Sequence, residues 1–424
     1  MTAPDTHRAI EAVWRIEAAR LIAGLARIVR DVGFAEEIAQ DAFVAALERW
    51  PASGVPDNPG AWLMATAKRR AIDMLRRARS FERRESQVGR EMEALFGSST
   101  PDLDTAVDDH VGDDILALIF TACHPVLSME ARAALTLRLL GGLTTDEIAR
   151  AYLVSEATVA QRIVRAKRTL ADANARFEVP RGAELATRLP SVLEVIYLVF
   201  NEGYSATAGD DWMRPSLCDD ALRLVRILAE LMPRESEVHG LAALLEIQAS
   251  RMGSRIGPAG EPVLLLEQDR SRWDRLLMRR GLAALERAEA LGGAAGPYAL
   301  QAAIAGCHAR ARAPEETDWA RIASLYDALL LVAPSPIVDL NRAVAVGMAA
   351  GPAVGLEIVD RLRSEPSLRN YPYLPSVRGD LLAKVGRLDE AREEFERAAG
   401  LTRNVREREL LERKAAAIHS ARSR

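Results

Sequence analysis

Residues 144–170 read TTDEIARAYLVSEATVAQRIVRAKRTL, a stretch that predicts two short helices joined by a tight turn. Thr144 and Glu147 fit the S/T-x-x-E capping box, in which each side chain satisfies the other residue's backbone N–H at a helix start. Ile148, Ala149 and Tyr152 then give the first helix one apolar side. Ser155 is a favoured N-cap, and after it Val159, Ile163, Ala166 and Leu170 recur at helical spacing. Gln161, Arg162, Arg165 and Arg168 fall on the other side, Lys167 adds to the basic end, and no Asp or Glu lies between Val159 and Leu170. Thr, Gln and Arg side chains reach base edges and phosphates, so the pair reads as a helix-turn-helix whose second helix enters a DNA major groove. A helical hairpin with a solvated basic face has the same pattern, and this segment alone leaves both readings open.

The 424 residues are enough for several domains, each with its own core. Aromatics make up only 5% while Ala, Leu, Arg and Glu abound, and no long stretch alternates apolar with polar residues, so an all-α, multi-domain fold is expected. The net charge of −4 excludes a globally basic nucleic-acid binder. Because non-specific DNA affinity comes largely from phosphate neutralisation, such a chain binds DNA weakly alone and needs a partner that supplies grip. The three cysteines, Cys123, Cys218 and Cys307, are odd in number and far apart, which argues against a disulfide framework. Neither Cys123-His124 nor Cys307-His308 has a companion at metal-ligand spacing, so small buried thiols are expected, with no metal and no cofactor. The opening MTAPDTHRAIEAVWR has no apolar core, and no apolar run approaches membrane-spanning length; a cytoplasmic protein with no membrane partner is expected.

A first helix is predicted over roughly 8–30, with Ile10, Val13, Trp14, Leu21, Leu25 and Ile28 on one side. A second begins after Gly33 and runs to Trp50, where Pro51 is expected to stop it. Glu37, Asp41 and Glu48 form an acidic stripe on that helix, with Gln40 beside them; it suits a solvated face or a basic helical partner. PASGVPDNPG (51–60) is a loop by composition, and Asn58-Pro59 supplies an N-cap with Pro at the first helical position. The helix that follows, to about Arg79, carries Trp62 and then Lys68, Arg69, Arg70 and Arg76. An aromatic followed by cations suits strand separation, stacking for a base and charge for phosphates; core packing of Trp62 with a solvated basic end is the other reading. Residues 91–114 hold eight Asp/Glu and no Lys/Arg, and with GSSTP (97–101) they read as an acidic linker, either a shield for the basic blocks or a solvated spacer.

Beyond about residue 180 the chain reads as a succession of helices. SVLEVIYLVFNEGYSAT (191–207) is the most apolar, with Gly203 expected as a helix cap, and GEPVLLLEQDRSRWDRLLMRRG (260–281) reads as a helix pair. Gly379, Leu382, Gly386, Ala391, Phe395 and Ala398 sit at the positions of a tetratricopeptide unit. Ala343, Val346, Gly355, Val359 and Leu362 repeat that pattern 36 residues earlier, and a weaker copy spans 298–334. Stacked helix pairs of this kind present a concave surface for a protein or small ligand; generic antiparallel helices are the alternative. Asn201-Glu202, Asp210-Asp211 and Asp219-Asp220 are the only hints of catalysis, and no nucleophile, metal or phosphate-loop pattern joins them, so no enzyme is expected.

Taken in order, the two N-terminal blocks resemble regions 2 and 4 of extracytoplasmic-function (ECF) RNA polymerase sigma factors of the sigma-70 family. AEEIAQDAF (35–43) resembles region 2.2, AWLMATAKRRAIDMLRR (61–77) regions 2.3 and 2.4, and LSMEARAALTLRLLGGLTTDEIA (127–149) the approach to region 4.2. TVAQRIVRAKRTL (158–170) resembles the recognition helix. The resemblance implies core RNA polymerase, through its β′ and β subunits, and promoter DNA as partners. By position it assigns Glu37, Gln40 and Asp41 to the β′ coiled coil. It gives the loop 51–60, with Asn58, to capture of an unstacked −10 base, and Trp62, Lys68, Arg69, Arg70 and Arg76 to opening of the duplex. Thr158, Gln161, Arg162, Arg165, Lys167 and Arg168 would read or clamp the −35 element. Leu153, Ala157 and Ala160 depart from the family's common residues, so the −35 preference does not carry over. The remaining 250 or so residues resemble the subgroup with a long helical extension, which implies regulation by a fused domain. The expected division is region 2 at 1–80, linker at 81–112, region 4 at 113–176, a helical domain at 177–282 and repeats at 283–424. A duplex-binding regulator that senses through its C-terminal repeats is the rival; it has no need of the Trp-plus-basic segment.

Overall fold

The structure, a computed structural model, describes residues 3–85 and 111–422 apart from 153, 207 and 259. The acidic stretch 86–110 and the turn residue Leu153 therefore lie outside the described residues. Two compact units divide the chain, Met1–Val195 and Ile196–Arg424. Both are helical, as composition predicts. Extended pairing among the described residues is confined to Ala208–Gly209 beside Arg403–Asn404, in parallel, and an isolated bridge between Ile256 and Pro262.

The first unit contains α1 (Ala3–Val29), α2 (Val32–Ser53), α3 (Pro59–Glu85), α4 (Val111–Ala122), α5 (Met129–Leu139), α6 (Thr145–Tyr152), α7 (Glu156–Asp172) and the start of α8 (Ala183–Tyr204). The stripe read along α1 is its core face: Ile10, Leu21 and Leu25 are buried, and the helix packs against α2, α3 and α4. Two expected helix ends move. Asp31 accepts the Phe34 N–H at 2.7 Å and caps α2, so Gly33 lies inside the first turn. Pro51 does not stop α2, which runs to Ser53 and ends at Gly54 with φ +81°. A proline so near the end costs one backbone bond and clashes only with the preceding turn, and packing of Trp50 outweighs that. The basic helix α3 likewise continues past Arg79 to Glu85.

The second unit contains α9 (Pro215–Leu231), α10 (Ser236–Ala249), α11 (Arg275–Ala290), α12 (Pro297–Arg310), α13 (Trp319–Val332), α14 (Pro336–Ala350), α15 (Pro352–Leu362), α16 (Tyr373–Lys384), α17 (Leu388–Leu401) and α18 (Val405–Arg422). From α12 to α18 each helix packs against the next in sequence. Leu382, Ala391, Phe395, Ala398, Ala343, Val359 and Leu362 join one apolar core there, which accounts for their periodic spacing. The small residues permit close approach: a Cβ on Gly355 would lie 2.6 Å from the Ala343 carbonyl, and one on Gly379 2.9 Å from the Phe395 ring.

Gly203 is not a helix cap. It lies within α8, where a Cβ would meet Cys218 N at 2.8 Å, and its carbonyl accepts the Arg214 N–H at 2.7 Å. Close helix contact, not a left-handed turn, selects glycine at this position. Residues 260–281 are not a helix pair either. Single 3₁₀ turns at Leu265–Glu267 and Arg270–Arg272 precede α11, whose first N–H groups Asp274 caps at 2.8 and 3.0 Å. Periodicity misled here because Trp273 is buried by tertiary contacts rather than by a helical stripe. Cys123 and Cys218 are buried and Cys307 is half-buried; burial pushes the Cys123 thiol up to about 11 and Cys218 up to about 12, so they pack as apolar groups.

Candidate nucleic-acid interface

The starts of α6 and α7 are each held by the local bonds their sequence predicts. Thr144 N donates to Glu147 Oε2 at 2.8 Å and Glu147 N to Thr144 Oγ1 at 3.1 Å, a closed capping box. Ser155 accepts the Thr158 N–H at 3.1 Å and starts α7. Ile148 and Ala149 on α6, and Val159, Ile163, Ala166 and Leu170 on α7, are buried, so the two helices lock through their apolar sides. Thr158, Gln161 and Arg165 are thereby left exposed, with Arg162 half-buried beside them. These four side chains line one groove of about 470 Å³ against Val126 and Glu130 at the start of α5.

Glu130 is a residue that inspection of the helix alone misses, because it comes from another element. Its own backbone N–H and the Ser128 hydroxyl hold its carboxyl below the usual range, and Arg162 adds to this. An acid thus lines the same groove as the basic side chains and lies within electrostatic reach of Arg162.

Lys167 and Arg168 are placed differently. Arg168 is exposed at the far end of α7, 3.7 Å from Asp172. Lys167 points into the protein, where its ammonium lies 2.5 Å from Glu36 on α2. Arg138 of α5 donates to the same carboxylate at 2.7 Å, and Gln40 donates to it at 2.5 Å. The Glu36 side chain is only 3% exposed, so the charge is buried and two cations compensate it. Glu36 was not singled out in the acidic stripe. Its signal was available: it stands three and seven residues before Ala39 and Phe43, on the apolar side of α2.

Glu37 and Asp41 remain exposed on α2, and Asp41 pairs with Arg70 of α3 at 3.2 Å. Gln40, half-buried, turns towards Glu36, so the three residues grouped by sequence do not act as one free patch. Asn58 caps α3 by accepting the Ala61 N–H at 3.0 Å, as its place before Pro59 predicts. Trp62 is half-buried with its ring edge-on to Trp50, centroids 5.3 Å apart. Lys68 and Arg70 are half-buried and Arg69 is exposed on the same helix; the Arg76 side chain lies outside those described. Glu202, one of the hints of catalysis, forms an ion pair with Arg214 and ties α8 to the start of α9.

Comparison with known proteins agrees in order and position. Residues 16–81 match the family Sigma-70 region 2, and residues 117–170 match Sigma-70, region 4. Residues 188–289 match a family of unknown function (DUF6596). An ECF RNA polymerase sigma factor, SigK, of Mycobacterium ulcerans (strain Agy99) is 30% identical over 152 residues, covering 34% of this chain and 75% of that protein. SigK of Mycobacterium tuberculosis (strain ATCC 25177 / H37Ra) is 29% identical over 150 residues, 34% of this chain and 74% of its own. An uncharacterised protein of Rhizobium meliloti (strain 1021) is 44% identical over 384 residues, 90% of this chain and 89% of the relative.

Proposed function

The chain belongs to the ECF RNA polymerase sigma factors, with a C-terminal extension behind regions 2 and 4, and from that premise we propose how its residues divide promoter recognition. A member of this family binds core RNA polymerase and promoter DNA. The observation that carries our residue assignment is the α6–α7 pair, locked by two caps, with Thr158, Gln161, Arg162 and Arg165 on one groove. These four read or clamp the −35 element in the major groove, Arg168 meets phosphate, and Ala160 contributes no base contact. The loop with Asn58, then Trp62, Lys68, Arg69, Arg70 and Arg76, holds and opens the −10 element, and Glu37, Gln40 and Asp41 meet the β′ subunit. The extension from about residue 177, including tetratricopeptide-like repeats over 283–424, regulates the promoter-reading part.

This division carries a geometric requirement. The −10 and −35 elements are centred about 20–25 base pairs apart, or roughly 70–85 Å along B-form DNA. Glu36, which grips Lys167, and Trp50, which packs on Trp62, are fourteen residues apart on α2, or about 21 Å. Even with the length of α7 from Lys167 back to Thr158 added, about 14 Å, these anchors leave the two readers well short of the required separation. Simultaneous reading therefore needs Glu36 to release Lys167 and Arg138, and Lys167 meets a phosphate only after that release.

Run-off transcription tests the assignment as a whole. Purified core polymerase with the full chain should yield transcripts from a subset of promoters in the host genome that core polymerase alone does not start. Absence of stimulation from every promoter, with the extension intact or deleted, would overturn it.

A further inference from the structure

Within the second unit, a cavity of about 720 Å³ opens between the segment before α11, the first turns of α11 and the end of α12. Five arginines line it, Arg270, Arg275, Arg279, Arg310 and Arg312, and no Asp or Glu does. Among the described residues none of the five guanidinium groups is within ion-pair distance of a carboxylate. Glu315 and Glu316 act on Arg270 only from a distance, and Asp274 is occupied in capping α11.

A second feature of the wall is independent of that charge. Trp273 is 4% exposed, lines the cavity, and its indole N–H has no hydrogen-bond partner. Arg270 directs its terminal nitrogens to the carbonyls of His308 and Ala311, at 3.0 and 2.6 Å, and to Thr317, while its Nε also stays unmet. The unmet buried atoms of the lining are thus both donors. Behind Trp273, the Arg251 guanidinium is buried against the Trp273 and Tyr204 rings, bonded to the neutral Gln248. Buried donors are normally satisfied, and a cluster of like charges is unfavourable without an anion among them. An acceptor-rich, multiply negative group would satisfy these donors and offset the clustered positive charge.

We propose that this cavity is a binding site for a small polyphosphate, of the size of a nucleoside di- or triphosphate, with Arg275, Arg279, Arg310 and Arg312 gripping its phosphates. Guanidinium forks match phosphate oxygens in pairs, and the volume falls in the range of small-molecule sites. Arg275, Arg279, Arg310 and Arg312 are exposed around the open mouth of this cleft, and a local cluster of cations suits a compact ligand, whereas a nucleic-acid backbone calls for a stripe that follows it. The occupant is a small-molecule signal for the extension, and the assignment stands whether or not the promoter-reading roles hold.

Isothermal titration of the full chain with inorganic pyrophosphate, ATP and orthophosphate, in EDTA and at constant ionic strength, tests this. Pyrophosphate or ATP should saturate one site at least tenfold more tightly than orthophosphate. Arg275→Ala/Arg279→Ala and Arg310→Ala/Arg312→Ala should each weaken that binding at least tenfold with an unchanged melting temperature. The control pair Arg363→Ala/Arg369→Ala, exposed on another part of the unit, should leave it intact. Equal affinity for all three anions, equal loss in the control pair, or cavity-dependent binding of a DNA duplex but not of either polyphosphate would overturn the proposal.

Discussion

A buried histidine shows how much one residue's surroundings matter. His308 on α12 stacks edge-on against Trp319 and lies near the guanidinium groups of Arg251 and Arg270. Burial first, and then those two cations, push it down to about 4 from its ordinary value of 6.5. The folded protein therefore binds fewer protons than the unfolded chain at intermediate pH. The stability this supplies is complete above pH 6.5 and is lost as pH falls towards 4, a change of up to about 3 kcal/mol. Urea unfolding at about pH 7 and about pH 4.5 should show the wild type losing more stability than His308→Gln; parallel losses would refute the assignment. Sequence marked His308 only as a neighbour of Cys307 without metal-ligand spacing. Its actual environment comes from arginines 38 and 57 residues away in the chain, which no local pattern reveals.

At the scale of the element, α7 has two faces with different work. On the outer one, Arg165 is exposed beside Gln161 and Arg162. If it contacts a base through both guanidinium branches, Arg165→Ala should weaken initiation at −35-dependent promoters by about 1–3 kcal/mol. An equal loss at every promoter, measured by competition run-off assays, would instead assign it to phosphate. The inner face carries Lys167, and with Arg138 it neutralises Glu36. Glu36→Gln would leave both cations without their counter-charge. Their side chains are 22% and 20% exposed, so water screens part of the loss, and a destabilisation of about 2–3 kcal/mol is expected in urea unfolding. A change below about 0.5 kcal/mol would show that the pair is incidental. The helices themselves were legible because their apolar stripes and caps are local. Which side of α7 turns inward towards α2 was not, since Arg165 and Lys167 are two residues apart, about half a helix turn, and only the angle distinguishes them.

For the whole molecule, the net charge of −4 and the ion pair that holds Lys167 on Glu36 lead to the same expectation, weak DNA binding by the free chain. Cysteine labels at the exposed Val44 of α2 and Val164 of α7, with Cys307→Ser, would report the separation of the two readers. Energy transfer between them should be high in the free protein and fall on binding core polymerase with promoter DNA; unchanged transfer would refute the opening required above. Among the described residues no helix is long and apolar enough to cross a membrane. Sequence by itself determined the helical class, the capped α6–α7 pair, the exposed Thr158, Gln161 and Arg165, and the family, because each depends on spacing along one or two helices. Gly203, the irregular run to Trp273, the ion cluster on Glu36 and the arginine-lined cavity were decided only by tertiary structure. Each of those depends on groups far apart in the chain, whose charges and contacts acquire their energy only when folding removes the water between them.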